Sequence, residues 1–338
     1  MSYTEFRDGY KRETTFGSSI ITAAADQTYL WGVMSQESKH PSPTTNILYR
    51  ATGVNALEVP DTELWKGVFH LSGMYAILLQ NGVVLQAAMG YSSTVDAAPL
   101  YTHTIAPSTA GALLPSFTIQ HERTGTGTDW ATQFLGCKIS SLTLGINWEF
   151  PALHARVDWI AAEATDPNLG GTNAMLTNDP TLPATATKTH YPFNGMTRTF
   201  DGNDIGGLVS MELTIGNGLT PVFDNTWDTG TYTGRWAKSF IESPRKEYRL
   251  VMQYHPDSDD MWDELIATGN TKNIVFKWSK SANDDIEATL TDCQVTSHDI
   301  KTPNAGEQLI EEVTCEPRQV SFEVKDTIAG DAAGAYGE

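Results

Sequence analysis

"FLGCKISSLTL", residues 134–144, and "LTDCQVTSHDI", residues 290–300, are the two stretches whose reading decides the fold. In each, a cysteine is followed by an amine or amide, then a β-branched residue, with a serine four positions on. Apolar and polar residues alternate around both cysteines, which is the period of a strand with one buried face. Aligning Cys137 with Cys293, 156 positions apart, keeps register without a gap as far as Val157 and Val313. The same alignment brings "FTIQHE" (117–122) to within about one residue of "IVFKWS" (274–279), inside the usual error of a strand boundary. A strand phrase recurring at this distance reads as a duplicated β domain.

The alternation is general. "ARVDWIA" (155–161), "LVSMELTIGN" (208–217), "YRLVMQY" (248–254) and "QVSFEVKD" (319–326) share it, with turn-forming stretches such as "RTGTGTD", "FDGNDIGG" and "TPNAGE" between strands. Helical periodicity is confined to residues 60–82 and 256–270, each opening with Pro-Asp-Thr/Ser and acidic residues as a helix start requires. The sequence therefore predicts a mainly β protein of antiparallel sandwich or barrel domains, with one flanking helix each. The expected division is an N-terminal arm (1–28), a first domain (29–165) with a loop insertion at 91–115, a linker or surface excursion (166–192), a second domain (193–326) and a flexible C-terminal tail (327–338).

At 338 residues the chain can bury two cores. No apolar run approaches the ~20 residues that cross a bilayer, and 73–90 is interrupted by Gln80, Asn81 and Gly82. "MSYTEFRDGYKRETTFG" lacks the apolar centre of a signal peptide, so the expectation is a protein made in a cytosol with no membrane partner. Cys137, Cys293 and Cys315 fit buried reduced thiols better than a disulfide frame. A net charge of −19 argues against a basic surface that wraps nucleic acid. From Pro256 onward, 18 Asp and Glu face 6 Lys and Arg, a net −12. Such a concentration reads either as a solvated face or as a surface that must not hold DNA.

Catalytic patterns are missing from the sequence. "ERTGTGTDW" (122–130) lacks the spacing and lysine of a phosphate loop, no paired histidines stand at zinc spacing, and no Gly-x-Ser-x-Gly elbow occurs. Asp201, Asn203 and Asp204, and the cluster Asp257, Asp259, Asp260, Asp263 and Glu264, offer oxygen ligands but do not follow a calcium loop. A turn and a helix start explain them. The expectation is a non-enzymatic protein with no catalytic, cofactor or metal site. Trp148, Trp159, Trp227, Trp236, Trp262 and Trp278 leave open a carbohydrate-binding β-module, against the commoner role of Trp in cores and subunit contacts.

The segment from Phe117 to Ala161 resembles the tail tube proteins of long-tailed, siphovirus-like bacteriophages and archaeal tailed viruses. In that family a strand like "SFTIQHE" leads to "[FY]xGCKxxSLxL" and then to a strand like "HARVDWIAAEA". Phe134, Gly136, Cys137, Lys138, Ser141, Leu142 and Leu144 stand at those places. "RETTFGSSIITAAADQTYLWGVMSQES" looks like the family's opening arm and first strand, and "LQNGVVLQAAMG" followed by "YTHTI" like its helix end and next strand. The likeness covers residues 10–165 directly and the remainder through the internal repeat. It implies two packed antiparallel sheets per domain, assembled into stacked rings whose inner sheets join into a β-barrel around a channel for viral DNA. Two domains per chain favour trimeric rings, with hexameric rings as the alternative. The partners implied are further copies of the chain, a tape measure protein, and tail terminator and baseplate proteins, in a virion tail assembled in the host cytoplasm. A terminator or baseplate ring protein of the same fold is the nearest alternative. Acids lining such a channel would repel passing phosphates, and Asp284, Asp285, Glu287, Glu311 and Glu312 are the candidates.

Overall fold

The computed structural model describes residues 3–18, 21, 28–30, 33–39, 67–76, 82–97, 100–108, 113–125, 130–165, 191–204, 206–223, 227–228, 231–232, 237–243, 245–255, 261–281, 283–301 and 309–327. Among them the chain is mainly β, in antiparallel sheets with two short α-helices. The first half runs β1 (Tyr3–Arg12), β2 (Thr28–Leu30), β3 (Val33–Lys39), β4 (Phe69–Ala76), α1 (Gly82–Met89), β5 (Gly90–Ala97), β6 (Leu100–Pro107), β7 (Phe117–Gly125), β8 (Trp130–Asn147), β9 (His154–Ala161) and β10 (Glu163–Thr165). After a 3-10 turn at Phe193–Gly195 come β11 (Met196–Phe200), β12 (Asn203–Asp204), β13 (Leu208–Gly216), β14 (Thr220–Phe223), β15 (Trp227–Asp228), β16 (Thr231–Tyr232), β17 (Ala237–Ile241) and β18 (Glu247–Tyr254). The chain continues through α2 (Met261–Thr268), β19 (Thr271–Ser281), β20 (Asp284–Lys301), β21 (Ile310–Glu316) and β22 (Gln319–Asp326).

The quoted stretches lie in β8 and β20, each 18 residues long. Each strand bends at a residue with left-handed backbone immediately before its cysteine, Gly136 (φ 64°) and Asp292 (φ 51°). Both thiols donate to the carbonyl three residues back, Cys137 to Phe134 at 3.2 Å and Cys293 to Leu290 at 3.6 Å. A bend of this kind lets one strand serve two sheets. The first part of β8 pairs with β7 and β10, and the part beyond the cysteine with β9. The first part of β20 pairs with β19 and β22, and the part beyond its cysteine with β21.

The pairings match position for position. Phe117 faces Cys137 and Ile119 faces Phe134; Lys272 faces Cys293 and Ile274 faces Leu290, with the same slip between. Ile139 faces Trp159 and Ser141 faces Asp158; Val295 faces Cys315 and Ser297 faces Thr314, again with one slip. The pair β3–β4 slips between Val33 and Ser35, as β13–β18 slips between Leu208 and Ser210. Helix α1 follows β4 as α2 follows β18. Aromatic contacts between layers hold each half: Phe117 against Trp159 (5.9 Å) and Phe69 against Phe134 (5.9 Å) in the first, and Trp262 against Phe200 (5.2 Å) in the second. Such edge-to-face pairs add about 0.5–1.5 kcal/mol beyond area burial.

Three expectations change. Within the helix expected over 60–82, Phe69–Ala76 form a strand, because Phe69, Leu71, Gly73 and Tyr75 bury one face with period two. The first helix lies later, at Gly82–Met89, and all eight residues are buried. A helix buried all round has no polar stripe, so periodicity does not reveal it. The shared Pro-Asp-Thr/Ser phrases, at 60–62 and 256–258, lie outside the described residues. Helix α2 falls inside 256–270, burying Trp262 and Leu265. Residues 3–12, expected in an arm, form β1, paired along its length with β7. The β5–β6 hairpin occupies the stretch expected as an insertion. Residues 166–190 and 328–338, which hold most of the expected linker and tail, lie outside the described residues.

The two bends differ in their tolerance. A Cβ at Gly136 would lie 2.8 Å from Phe16 Cζ and 3.0 Å from the Ala162 Cβ. Gly136→Ala should cost about 2 kcal/mol or more in denaturant unfolding, combining left-handed strain with a clash. Asp292 adopts the same conformation with an exposed side chain, so Asp292→Gly should be neutral or stabilise by up to about 1 kcal/mol. Equal losses for both would contradict the shared backbone strain.

Candidate assembly surface

The motif residues of the first half build a bend and a core. Phe134, Leu142 and Leu144 are fully buried. The Gly136 N–H donates to Glu13 Oε1 at 2.9 Å, and Glu13 also accepts from Thr118 Oγ1 at 3.0 Å. Burial pushes the Cys137 thiol well above its usual pKa, with Glu13 adding to the shift, so this sulfur is a core residue and no nucleophile. Ser141 donates to Asp158 Oδ2 at 2.8 Å across β8–β9. Lys138 is 4% exposed; its Nζ donates to Glu242 Oε1 at 2.6 Å and stands 5.9 Å from the Phe16 ring centroid.

Glu242 belongs to the second half, so the motif lysine points at a seam. Along it, β13 pairs with the far side of β8 over seven positions, from Ser210–Asn147 to Gly216–Ser141. Asn217 donates its side-chain amide to the Ile139 carbonyl at 2.9 Å, and its backbone N–H to that of Ser140 at 2.9 Å. Glu242 accepts the Leu114 N–H at 2.9 Å. Lys246 donates to the Ala88 carbonyl at the end of α1, at 2.9 Å, and to Asn217 Oδ1. The seam thus consists of a strand ladder flanked by two partly desolvated lysines. None of Glu13, Asn217, Glu242 or Lys246 carries a sequence signal of its own; each lies in a turn or beside a strand whose partner only the fold supplies.

The ladder makes one continuous sheet, β3–β4–β9–β8–β13–β18–β21–β20. One face is apolar, with Leu71, Val157, Leu144, Leu213, Leu250 and Val313 all buried. The other is polar. Thr143 bonds Thr214 at 3.2 Å, Ser210 donates to Gln253 at 3.1 Å, and Gln253 donates to Glu312 at 2.8 Å. Glu37, Glu212, Glu247, Asp299 and Glu316 are exposed on that face, as are Lys39, Arg156 and Arg249.

The five proposed channel acids do not share it. Adjacent strand residues face opposite ways, so Glu312 lies on the polar face while Glu311 faces α2, 3.3 Å from His298 Nε2. Burial opposes charge on His298, but the carboxylates of Asp263 and Glu311 outweigh it and hold its pKa above the usual value. Asp285 is buried and pairs with Lys277 at 2.9 Å, Glu287 reaches the same amine at 3.6 Å, and Asp284 accepts from Ser281 Oγ at 3.2 Å. These three lie where β20 joins β19 and β22.

Other candidates disperse. Asp201 is occupied by Lys272 (2.8 Å) and the Asn273 N–H (3.0 Å), which lower its pKa. Among the described residues no cluster of His, Cys, Asp or Glu has the geometry of a metal site. Asp257, Asp259 and Asp260 lie outside them. Trp159, Trp262 and Trp278 are buried, which removes them as sugar platforms; Trp148 is 62% exposed and packs on Phe193. Nothing is described of the side chains of Trp227 and Trp236.

No family model matches the chain, and no curated protein does. Among solved structures it is similar to Hcp1 from Flavobacterium johnsoniae, at 17% identity over 38% of this chain and 93% of that one, with a TM-score of 0.25. It is similar to the tube-terminating cap of the anti-feeding prophage at 12% identity, over 44% of this chain and 97% of that one, with a TM-score of 0.30. Hcp1 of E. coli EAEC 042 matches at 16% identity over 39% and 97%, with a TM-score of 0.24.

The seam has a pH signature. Burial pulls the Lys246 ammonium down to about 8, against an opposing pull from Glu242. Its folded pKa therefore lies below the unfolded value of about 10.4, and between these values the unfolded chain holds more protons. This residue's contribution to stability should rise with pH across that window. Differential scanning calorimetry should show Tm of wild type rising relative to Lys246→Met from pH 8 to 10. Parallel profiles would show that Lys246 is not desolvated at the seam.

Proposed function

We propose that the chain is the subunit of a self-assembling ring, stacked into the tail tube of a siphovirus-like virion, through which viral DNA passes without specific binding. The observation that carries this is the continuous sheet: two repeats of one strand pattern, joined edge to edge by β8–β13, with an apolar face inward to the helices and a polar face outward. A sheet of this form has two outer edges, and closure into a barrel is the arrangement that leaves none. In this reading residues 29–165 and 193–326 are two tube domains, with 166–192 connecting them and 327–338 a terminal tail. Three chains supply six repeats, so trimeric rings are favoured and hexameric rings are the alternative.

The polar face would then line the channel. Its exposed acids, Glu37, Glu212, Glu247, Asp299 and Glu316, outnumber the exposed cations Lys39, Arg156 and Arg249 among the described residues, and a carboxylate lining keeps phosphates from the counterion-releasing contacts that would arrest DNA. Of the five acids singled out in the sequence, Glu312 is the one on this face. No group on it needs to react, and the chain acts by shape rather than as an enzyme. Tape measure, terminator and baseplate proteins are the partners of such a tube, formed in the host cytoplasm and carried in the virion.

Negative-stain microscopy of the purified, concentrated chain tests the reading. Stacked rings with an open channel are expected. Single rings that never stack would favour a terminator or baseplate role, and a monomer at every concentration would contradict the proposal.

A further inference from the structure

The seam inside the chain predicts the seam between chains. Where β8 and β13 meet, Gly145 faces Glu212, Leu144 faces Leu213 and Thr143 faces Thr214. The matched pairings equate each β8 residue with the β20 residue 156 positions later. They equate Ser210 of β13 with Ser35 of β3 across the shared slip, so Glu212, Leu213 and Thr214 correspond to Glu37, Ser38 and Lys39. Among the described residues no strand pairs with the outer edge of β3, nor with the side of Ser297–Lys301 that corresponds to the β13 side of β8.

We infer that copies of this chain join head to tail, β3 of one pairing antiparallel with the end of β20 in the next, in the register Glu37–Lys301, Ser38–Ile300, Lys39–Asp299. This rests on the reading of the chain as a ring subunit and adds the residues that meet. Two independent features support the occupant and the register.

The first is an uncovered core position. Ile300 is 55% exposed, whereas Leu144 at the matching place in β8 is 0% exposed beneath the neighbouring strand. The second is charge. The register sets a carboxylate opposite an amine at both outer positions. Sliding it by two residues in one direction sets Glu37 against Asp299, and in the other Lys39 against Lys301. Sliding by one turns each side chain to the wrong face of the sheet. Both errors are thereby disfavoured. Among the described residues Glu37 and Lys39 form an exposed ion pair with each other, at 3.5 Å. The contact is heterologous, so its repetition around an axis closes a ring where the rotation per copy divides the full turn, as the proposed ring requires.

Charge exchange tests the register. Lys39→Glu and Asp299→Lys should each raise the critical concentration for assembly by about ten-fold, through like charges placed directly opposite. Because every chain carries both edges, the double variant should return to within about two-fold of wild type. Ser38→Cys with Ile300→Cys should give a ladder of disulfide-linked multimers on a non-reducing gel under mild oxidation. Cys137, Cys293 and Cys315 are buried and should stay silent. Ser38→Cys with Asp299→Cys, which face opposite ways, should give none. Tubes that form without the 38–300 cross-link, or a double variant no better than the singles, would overturn the register and leave the ring reading standing. A wild-type chain that stays monomeric at every concentration would overturn both.

Discussion

The edge of a β-sheet is a row of backbone donors and acceptors without partners, and it dictates how this molecule is built. Most of the fold can be understood as disposal of edges. Beyond its cysteine, each long strand leaves behind the strand that paired with its first part and exposes a new edge. In the first half β13 covers that edge. Among the described residues nothing covers it in the second half, and β3 is left open correspondingly. One backbone device, a left-handed residue before a buried cysteine, thus creates the joint within the chain and, in the proposed assembly, the surface that would meet another copy.

What the sequence discloses follows from where each signal originates. Cys137 and Cys293 are legible because the alternating core around them is local, written in consecutive residues, whereas the bend before each shows only in the backbone. Their gapless alignment, from the cysteines to Val157 and Val313, equates the residues that hold matching places in β8–β9 and β20–β21, while the slips in those ladders appear only in the structure. Helix α1 is not legible, since "GVVLQAAM" is buried on every side and carries no period. Strand β4 was hidden by a run of residues that can also be set on a helical wheel, and only its partners β3 and β9 settle its period.

The assembly surface divides the same way. Phe134, Leu142 and Leu144 announce themselves as core. Lys138 has a role that needs Glu242, 104 residues away, and nothing in either segment points to the other. The acids after Pro256 mark a charged second half, but a strand sends Glu311 and Glu312 to opposite faces, so charge counted along the chain says little about charge facing a channel. Glu37, Lys39 and Asp299 acquire meaning only once the two halves are superposed through their ladders.

Hydrogen–deuterium exchange, read separately on monomer and assembled tube, addresses the central claim most directly. The amides of β8 and β13 at the internal seam should be protected in both states. Those of Glu37–Lys39 and of Ser297–Lys301 that point away from their single partner strands should exchange freely in the monomer and become protected on assembly. Protection of these amides already present in the monomer, or absent in the tube, would contradict the account.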